Sequence, residues 1–227
     1  MNRWIAFSLV LMIATLGCEK KEEPPKNAPP PPPTAEEIYG EIMGNINGLE
    51  AFNVAEMDLP DAVSQQAADA VRSTKNKHQL GPNGPEGIRR AVTQVEGKLQ
   101  AAFNNRAWGL CLAQGKVLEA LAPENDAYKN MLERALIQKN KPKVAVTGFT
   151  TDKQTNVTSI FIEVYLPKTG EAKKMTVREG EEFEECKVVE IIGDNLGIRI
   201  EYLPTGDTFD AYQPSKAPVT PAATPAQ

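Results

Sequence analysis

The side chains best suited to nucleophilic, redox or metal chemistry in this 227-residue chain are Cys18, Cys111, Cys186 and the single histidine, His78. Their spacing supports little of it. A structural zinc centre takes four nitrogen or sulfur ligands, and one histidine with widely separated cysteines does not supply them. A catalytic triad needs a base held against its nucleophile. His78 stands in a polar stretch, Ser73 to Gln79, with no serine or cysteine motif beside it, and reads as part of an exposed loop. Glu179, Glu181, Glu182, Glu184 and Glu185 form an acidic cluster. It lacks the Asp, Asn and Gly spacing of a calcium loop and reads as a solvated turn. Gly81-Pro82-Asn83-Gly84 is not a phosphate loop, because no strand precedes it and no Lys-Ser/Thr follows. No catalytic, cofactor or metal set emerges from these residues.

Cys18 differs from the other two cysteines in what precedes it. Met1-Asn2-Arg3 is a short positive region, and Trp4 to Leu16 is an apolar run of thirteen residues without a charge. A spanning helix needs about 20 apolar residues, so this run fits a signal-peptide core over 1–17 better than a membrane helix. Ala14-Thr15-Leu16-Gly17-Cys18 resembles the lipobox of bacterial lipoproteins, with Thr15 where that family usually has Leu. The resemblance implies a diacylglyceryl group on the Cys18 thiol, cleavage before Cys18, and often acylation of the new amino group. One buried methylene contributes roughly 0.8 kcal/mol and one acyl chain anchors only marginally, so two or three chains on one residue make a firm anchor. The expected location is the cell envelope, on a membrane facing the periplasm, with inner and outer membrane left open.

Charge agrees with an anchor of this kind. The formal net charge is −5, and cleavage before Cys18 removes one arginine and no acid, leaving −6. An acidic chain has no general electrostatic attraction to nucleic acid or to anionic lipid headgroups.

Residues 18–33 follow as a linker, and seven of the fifteen residues after Cys18 are proline. In polyproline II form such a segment reaches roughly 45 Å. The last fifteen residues, 213–227, hold four more prolines with Ala, Thr and Ser, a composition that predicts a disordered tail.

Between these flanks the apolar pattern changes near Lys141. Over 34–140 it has helical spacing. Thr34-Ala35-Glu36-Glu37 has the form of a capping box, and Ile38, Ile42, Ile46 and Leu49 make one stripe. Gly40, Gly44 and Gly48 make another, which predicts an irregular helix more than a flat association face. A weak helix is expected from Pro60 to about Thr74, then a loop over Leu80 to Gly87. Ile88, Val92, Val95, Leu99 and Phe103 predict a helix, as do Trp108, Cys111, Leu112, Leu118 and Leu121. A third is expected to open at Pro123 and to carry Tyr128, Leu132, Ala135 and Leu136. The stretch from Trp108 to Tyr128 is similar to the helix-turn-helix of tetratricopeptide repeats, but no second copy exists at their period, so a small bundle or hairpin is expected.

Over 141–212 the pattern alternates. Val144 to Phe149, Val157 to Leu166, Lys174 to Arg178, Cys186 to Ile192, Ile198 to Leu203 and Thr208 to Tyr212 read as short strands divided by Gly, Pro and Asn turns. The fold class is therefore α+β: a helical segment followed by a small antiparallel β sandwich or barrel. The stretch from Met175 to Leu203 resembles the periplasmic β domain shared by the PilP lipoproteins of type IV pilus systems and the GspC proteins of type II secretion. Lipobox, proline-rich linker and C-terminal β domain also follow the layout of the pilus lipoproteins, and the helical segment of this chain departs from it. The resemblance implies a protein that connects assembly components of the envelope. Cys111 and Cys186 form a candidate disulfide in an oxidising compartment, tying the helical part to the β part; against this, Cys111 falls on an apolar helix face, where a thiol behaves as a small hydrophobe.

Together these features predict an anchored envelope scaffold or adaptor in pilus or secretion assembly, with a protein partner and no enzymatic activity. A small-ligand or carrier-binding lipoprotein, with its pocket between the two parts, is the alternative, and an enzyme stands third. Replacing the anchor residue tests the placement: Cys18→Ser should abolish incorporation of labelled palmitate and shift the protein to the soluble fraction. Palmitate labelling that survives Cys18→Ser removes the anchor from the account.

Overall fold

The chain from Thr34 onward begins with its capping box in place. In the computed structural model, which describes residues 30–214, the Glu37 backbone N–H donates to Thr34 Oγ1 at 3.2 Å and the Thr34 N–H donates to the Glu37 carboxylate at 2.8 Å. These bonds satisfy donors that the first helical turn leaves free. Helix α1, Ala35–Gly44, buries Ile38 and Ile42 and then gives way to a 3₁₀ segment, Asn47–Phe52, which buries Leu49. The apolar stripe is thus continuous although the helix is not. Gly40, Gly44 and Gly48 face open space and pack against nothing.

Four more helices complete the first part: α2, Asp61–His78; α3, Gly84–Asn104; α4, Trp108–Leu121; and α5, Lys129–Lys139. α4 is buried nearly all round and lies at the centre of the bundle. Its neighbours use small residues where they approach, Ala67 and Ala68 on α2 and Ala91 and Ala102 on α3. α2 runs to His78, past the expected end near Thr74.

Two further boundaries differ from the sequence reading. The segment expected to be a loop through Gly87 turns helical at Gly84, with Pro85 in the first turn of α3. Proline is compatible with that turn because it needs no N–H there. The glycines answer a different demand: a Cβ on Gly84 would lie 1.9 Å from the His78 carbonyl oxygen, and one on Gly87 would lie 2.8 Å from the Ala35 carbonyl oxygen. Close approach, not chain flexibility, requires glycine at both. The second difference is that the last helix opens at Lys129 and not at Pro123. The Asn125 side chain accepts from the Ala127 N–H at 3.1 Å, and the Lys129 N–H donates to the Asp126 carbonyl at 3.1 Å, so the chain turns twice first. This local side-chain pairing competes with helix.

The second part is two antiparallel meanders. The first sheet has the order β1-β2-β3, with β1 Lys143–Thr151, β2 Thr158–Leu166 and β3 Glu171–Val177. The second has the order β4-β5-β6-β7, with β4 Glu182–Phe183, β5 Cys186–Ile192, β6 Gly197–Tyr202 and β7 Asp207–Tyr212. β4 is the one strand absent from the sequence reading, because two residues carry no alternation. Inward residues of both sheets, among them Val146, Ile160, Ile162, Val188, Ile198 and Ile200, form a single core. The fold is α+β, as expected. Cys18, expected to carry the lipid, the expected signal peptide, most of the expected linker and nearly all of the expected tail lie outside the described residues.

Two cores therefore sit in one compact unit that begins at Pro33, and α5 belongs to both. Ala135 is fully buried in the helical core, while Ile137 packs against the β core. Tyr202, almost fully buried, donates its hydroxyl hydrogen to the Ile137 carbonyl at 3.2 Å. Gln138 donates to Asp207, and Lys141 lies 4.0 Å from the centre of the Phe209 ring.

One buried group works against the helical core. Gln114 on α4 is 0% exposed, and neither its Nε2 nor its Oε1 has a hydrogen-bond partner among the described residues. Burying an unpaired amide costs about 1–3 kcal/mol. Gln114→Met keeps the shape and removes the polar atoms, so thermal denaturation should show a higher melting temperature, by roughly 2–4 °C per kcal/mol recovered. A lower melting temperature would show that the amide is satisfied in solution.

Candidate functional site

The two described cysteines are free and lie in different cores, Cys111 on α4 and Cys186 at the start of β5. The candidate disulfide is not formed. Burial pushes the Cys111 thiol up to about 12 and is the main cause that raises Cys186 to about 11, with Glu185 and Glu184 adding to it and Lys141 opposing it. Both thiols stay protonated at neutral pH, which suits packing and not nucleophilic chemistry.

His78 is not in an exposed loop. It ends α2, is 8% exposed, and its Nε2 lies 2.9 Å from the Glu41 carboxylate on α1. Lys77 also donates to Glu41, at 3.1 Å. His78 continues the buried face of α2 after Ser64, Ala67, Ala68, Val71 and Thr74, and the sequence concealed this because that face carries few large apolar residues. The pair ties α1 to α2.

The acidic cluster is dispersed by the backbone. Glu184 and Glu185 are the two loop residues of the β4–β5 hairpin, with φ of 42° and 60°. Two-residue hairpin loops favour left-handed residues because their twist matches the strands. Glu181 accepts from the Arg178 N–H at 2.9 Å, and Glu184 pairs with Lys173 of β3 at 2.7 Å. Among the described residues no three His, Cys, Asp or Glu side chains gather to hold a metal ion.

What the tertiary structure does gather lies elsewhere. β1 and β3 are the edges of the first sheet, and β4 and β7 those of the second. On the outer face of β2, Phe161 and Tyr165 are each 41% exposed. Phe161 stands between Gly148 on β1 and Thr176 on β3, and Tyr165 between Lys143 on β1 and Ala172 on β3. A groove of about 810 Å³ runs along α4 and α5 beside Leu112, Leu132 and Leu136, and Leu136, expected in the core, is half-exposed there.

A third feature is the junction of the helical and β parts. A polar cleft of about 670 Å³ opens between the α3–α4 turn, α5 and β7. It is lined by Arg106, Arg134 and Lys141 with Trp108 and Phe209. A smaller cleft of about 320 Å³ shares Trp108, Lys141 and Phe209 and adds Met57 and Val144. The Thr205 hydroxyl and Gln138 hold the Asp207 carboxyl below the usual carboxylate range, with Arg134 and Lys141 contributing. Sequence reasoning missed this set. Its cations come from a turn, a helix and a linker, and no periodicity connects them.

The Glu41 carboxyl is lowered from 4.5, first by the hydrogen bond to His78 and then by Lys77. A carboxylate whose folded pKa lies below its unfolded one stabilises the protein above the unfolded value and loses that contribution as pH falls through the folded value. Glu41→Gln should therefore lower the melting temperature at about pH 5.5, and the gap to the parent should close as pH drops below about 4.5. A gap constant across that range would show that the charge on Glu41 contributes nothing. Neither a protein-family profile, nor a characterised protein, nor a solved structure matches this chain.

Proposed function

We propose that this chain is an envelope lipoprotein, fastened to a membrane through Cys18, whose folded part acts as a scaffold or adaptor in pilus or secretion assembly. The anchor rests on the run from Trp4 to Cys18 and its resemblance to a lipobox. The structural observation that carries the adaptor role is the pair of open sheets. Among the described residues β1, β3 and β7, like the two-residue β4, each have one neighbour in their ladder, so each keeps one side of its backbone without a ladder partner. Such edges accept an added strand from another chain. β3 carries Lys173 and Lys174, the kind of charge that blunts an edge, whereas β7 carries no lysine. β1 opens with Lys143 and approaches β7 where the two sheets meet, so the seam between these two edges is the proposed receiver. The exposed Phe161 and Tyr165 offer a second contact on the neighbouring face, as aromatic residues are enriched in protein interfaces.

Site-specific photocrosslinking in growing cells tests this reading. A photoreactive residue at Thr150 on β1 or Thr208 on β7, both exposed, should give a discrete adduct with one envelope protein, while the same residue at the exposed Asp69 on α2 should give none. Adducts from neither edge, with the protein correctly membrane-bound, would remove the adaptor role.

A further inference from the structure

We propose that the junction cleft is a binding site for a small organic anion, a carboxylate or phosphate that also carries hydroxyl groups and an apolar face. This goes beyond the adaptor reading and does not depend on it.

Three cations from three separate elements line the cleft: Arg106 in the α3–α4 turn, Arg134 on α5 and Lys141 in the α5–β1 connection. None has a salt-bridge partner among the described residues; of the other described arginines, Arg72, Arg89, Arg90 and Arg199 pair with carboxylates and Arg178 does not. The chain as a whole is acidic, at −5. Set against the two carboxylates of the cleft, Glu56 and Asp207, the three cations leave a net positive charge, and such charge between low-dielectric walls focuses field and raises the local concentration of anions.

The backbone holds one of these cations at a cost. Arg106 follows the C-cap of α3 with φ of 56°, and the N–H of Ala107 returns to the Ala102 carbonyl at 2.9 Å. This is the position at a helix end where glycine is preferred. An arginine there is strained by roughly 1 kcal/mol, yet its side chain is exposed and packs into no core. Glu56, whose φ is 58°, is in the same strained region and lines the same cleft, and its N–H donates to the Arg106 carbonyl at 3.1 Å. The two strained residues hold each other and fix where the Arg106 side chain leaves the backbone.

The walls select the ligand. A cleft of about 670 Å³ is much larger than a bare inorganic ion and falls in the range of small-molecule sites. Trp108 is braced edge-to-face by Phe103, with ring centres 5.5 Å apart, and the Phe209 ring lies beneath Lys141. These surfaces suit the apolar face of an organic molecule. Glu56 and Asp207 offer acceptors for hydroxyl groups on the same ligand.

Trp108 also supplies the readout. Trp4 and Trp108 are the two tryptophans, so the full chain carrying Trp4→Phe reports from Trp108 alone. Citrate and glucose 6-phosphate are titrated while Trp108 fluorescence is followed, against sodium chloride at matched ionic strength. A saturable change with at least one organic anion, half-complete below about 1 mM, is expected. Arg134→Gln should weaken it by about tenfold or more. Arg106→Gly should weaken it also while raising the melting temperature, since glycine relieves the strained backbone, so loss of binding through unfolding is recognised at once. The proposal is overturned by a flat response to both anions up to about 10 mM, by an equal response to chloride, or by variants that titrate like the parent.

Discussion

The last turn of α5 is where the molecule is held together. Ala135 faces one core and Ile137 the other, two residues apart on a single helix. A helix places residues two apart on opposite sides, so this short element can be shared by two packed layers without bending. The Tyr202 hydroxyl, deep in the β core, reaches across to the Ile137 carbonyl. Burial raises that hydroxyl to about 12, which keeps it a donor throughout the physiological range. The carbonyl belongs to the end of the helix, where backbone acceptors have no intrahelical partner. One phenol thus satisfies a helix end and fixes how the two parts meet.

Polar clefts follow from that arrangement. A curved β surface meets a helical bundle through the end of one helix, so flanking space remains on either side. On the β7 side this space is lined with arginine, lysine and aromatic rings; along α4 and α5 it is lined with leucines. The alternative reading from sequence placed a pocket between the two parts, and the cleft on the β7 side is lined mainly by polar and charged side chains. That polarity has a simple origin. The linker residues Lys141 to Lys143 and the turns at 104–107 and 204–207 have few apolar side chains, and these are the segments that border the junction.

Turn conformation explains several residues that resisted interpretation as chemistry. Glu184, Glu185 and Asn195 adopt left-handed backbone in hairpin turns, beside Gly193 and Gly206. The acids at 184–185 therefore serve a turn in which one of them also pairs with Lys173 across to the other sheet. Arg106 and Glu56 adopt the same backbone region without a hairpin to require it. That contrast is what separates the cleft residues from the rest of the charged surface.

The chain's linear pattern determined which elements form. The stripe Ile38, Ile42, Ile46 and Leu49 is buried throughout, the capping box at Thr34 closes, and six of the seven strands lie where alternating apolar residues predict them. Periodicity is local, and burying one face against anything produces the same element. Three kinds of feature needed the tertiary structure. Helix ends at Gly84 and Lys129 depend on a close backbone contact and on side-chain turns that no period records. His78 becomes a buried partner of Glu41 only because α1 and α2 pack side by side. Arg106, Arg134 and Lys141 meet only because α5 is held in both cores, and the convergence of distant residues is set by that packing rather than by any neighbour in sequence.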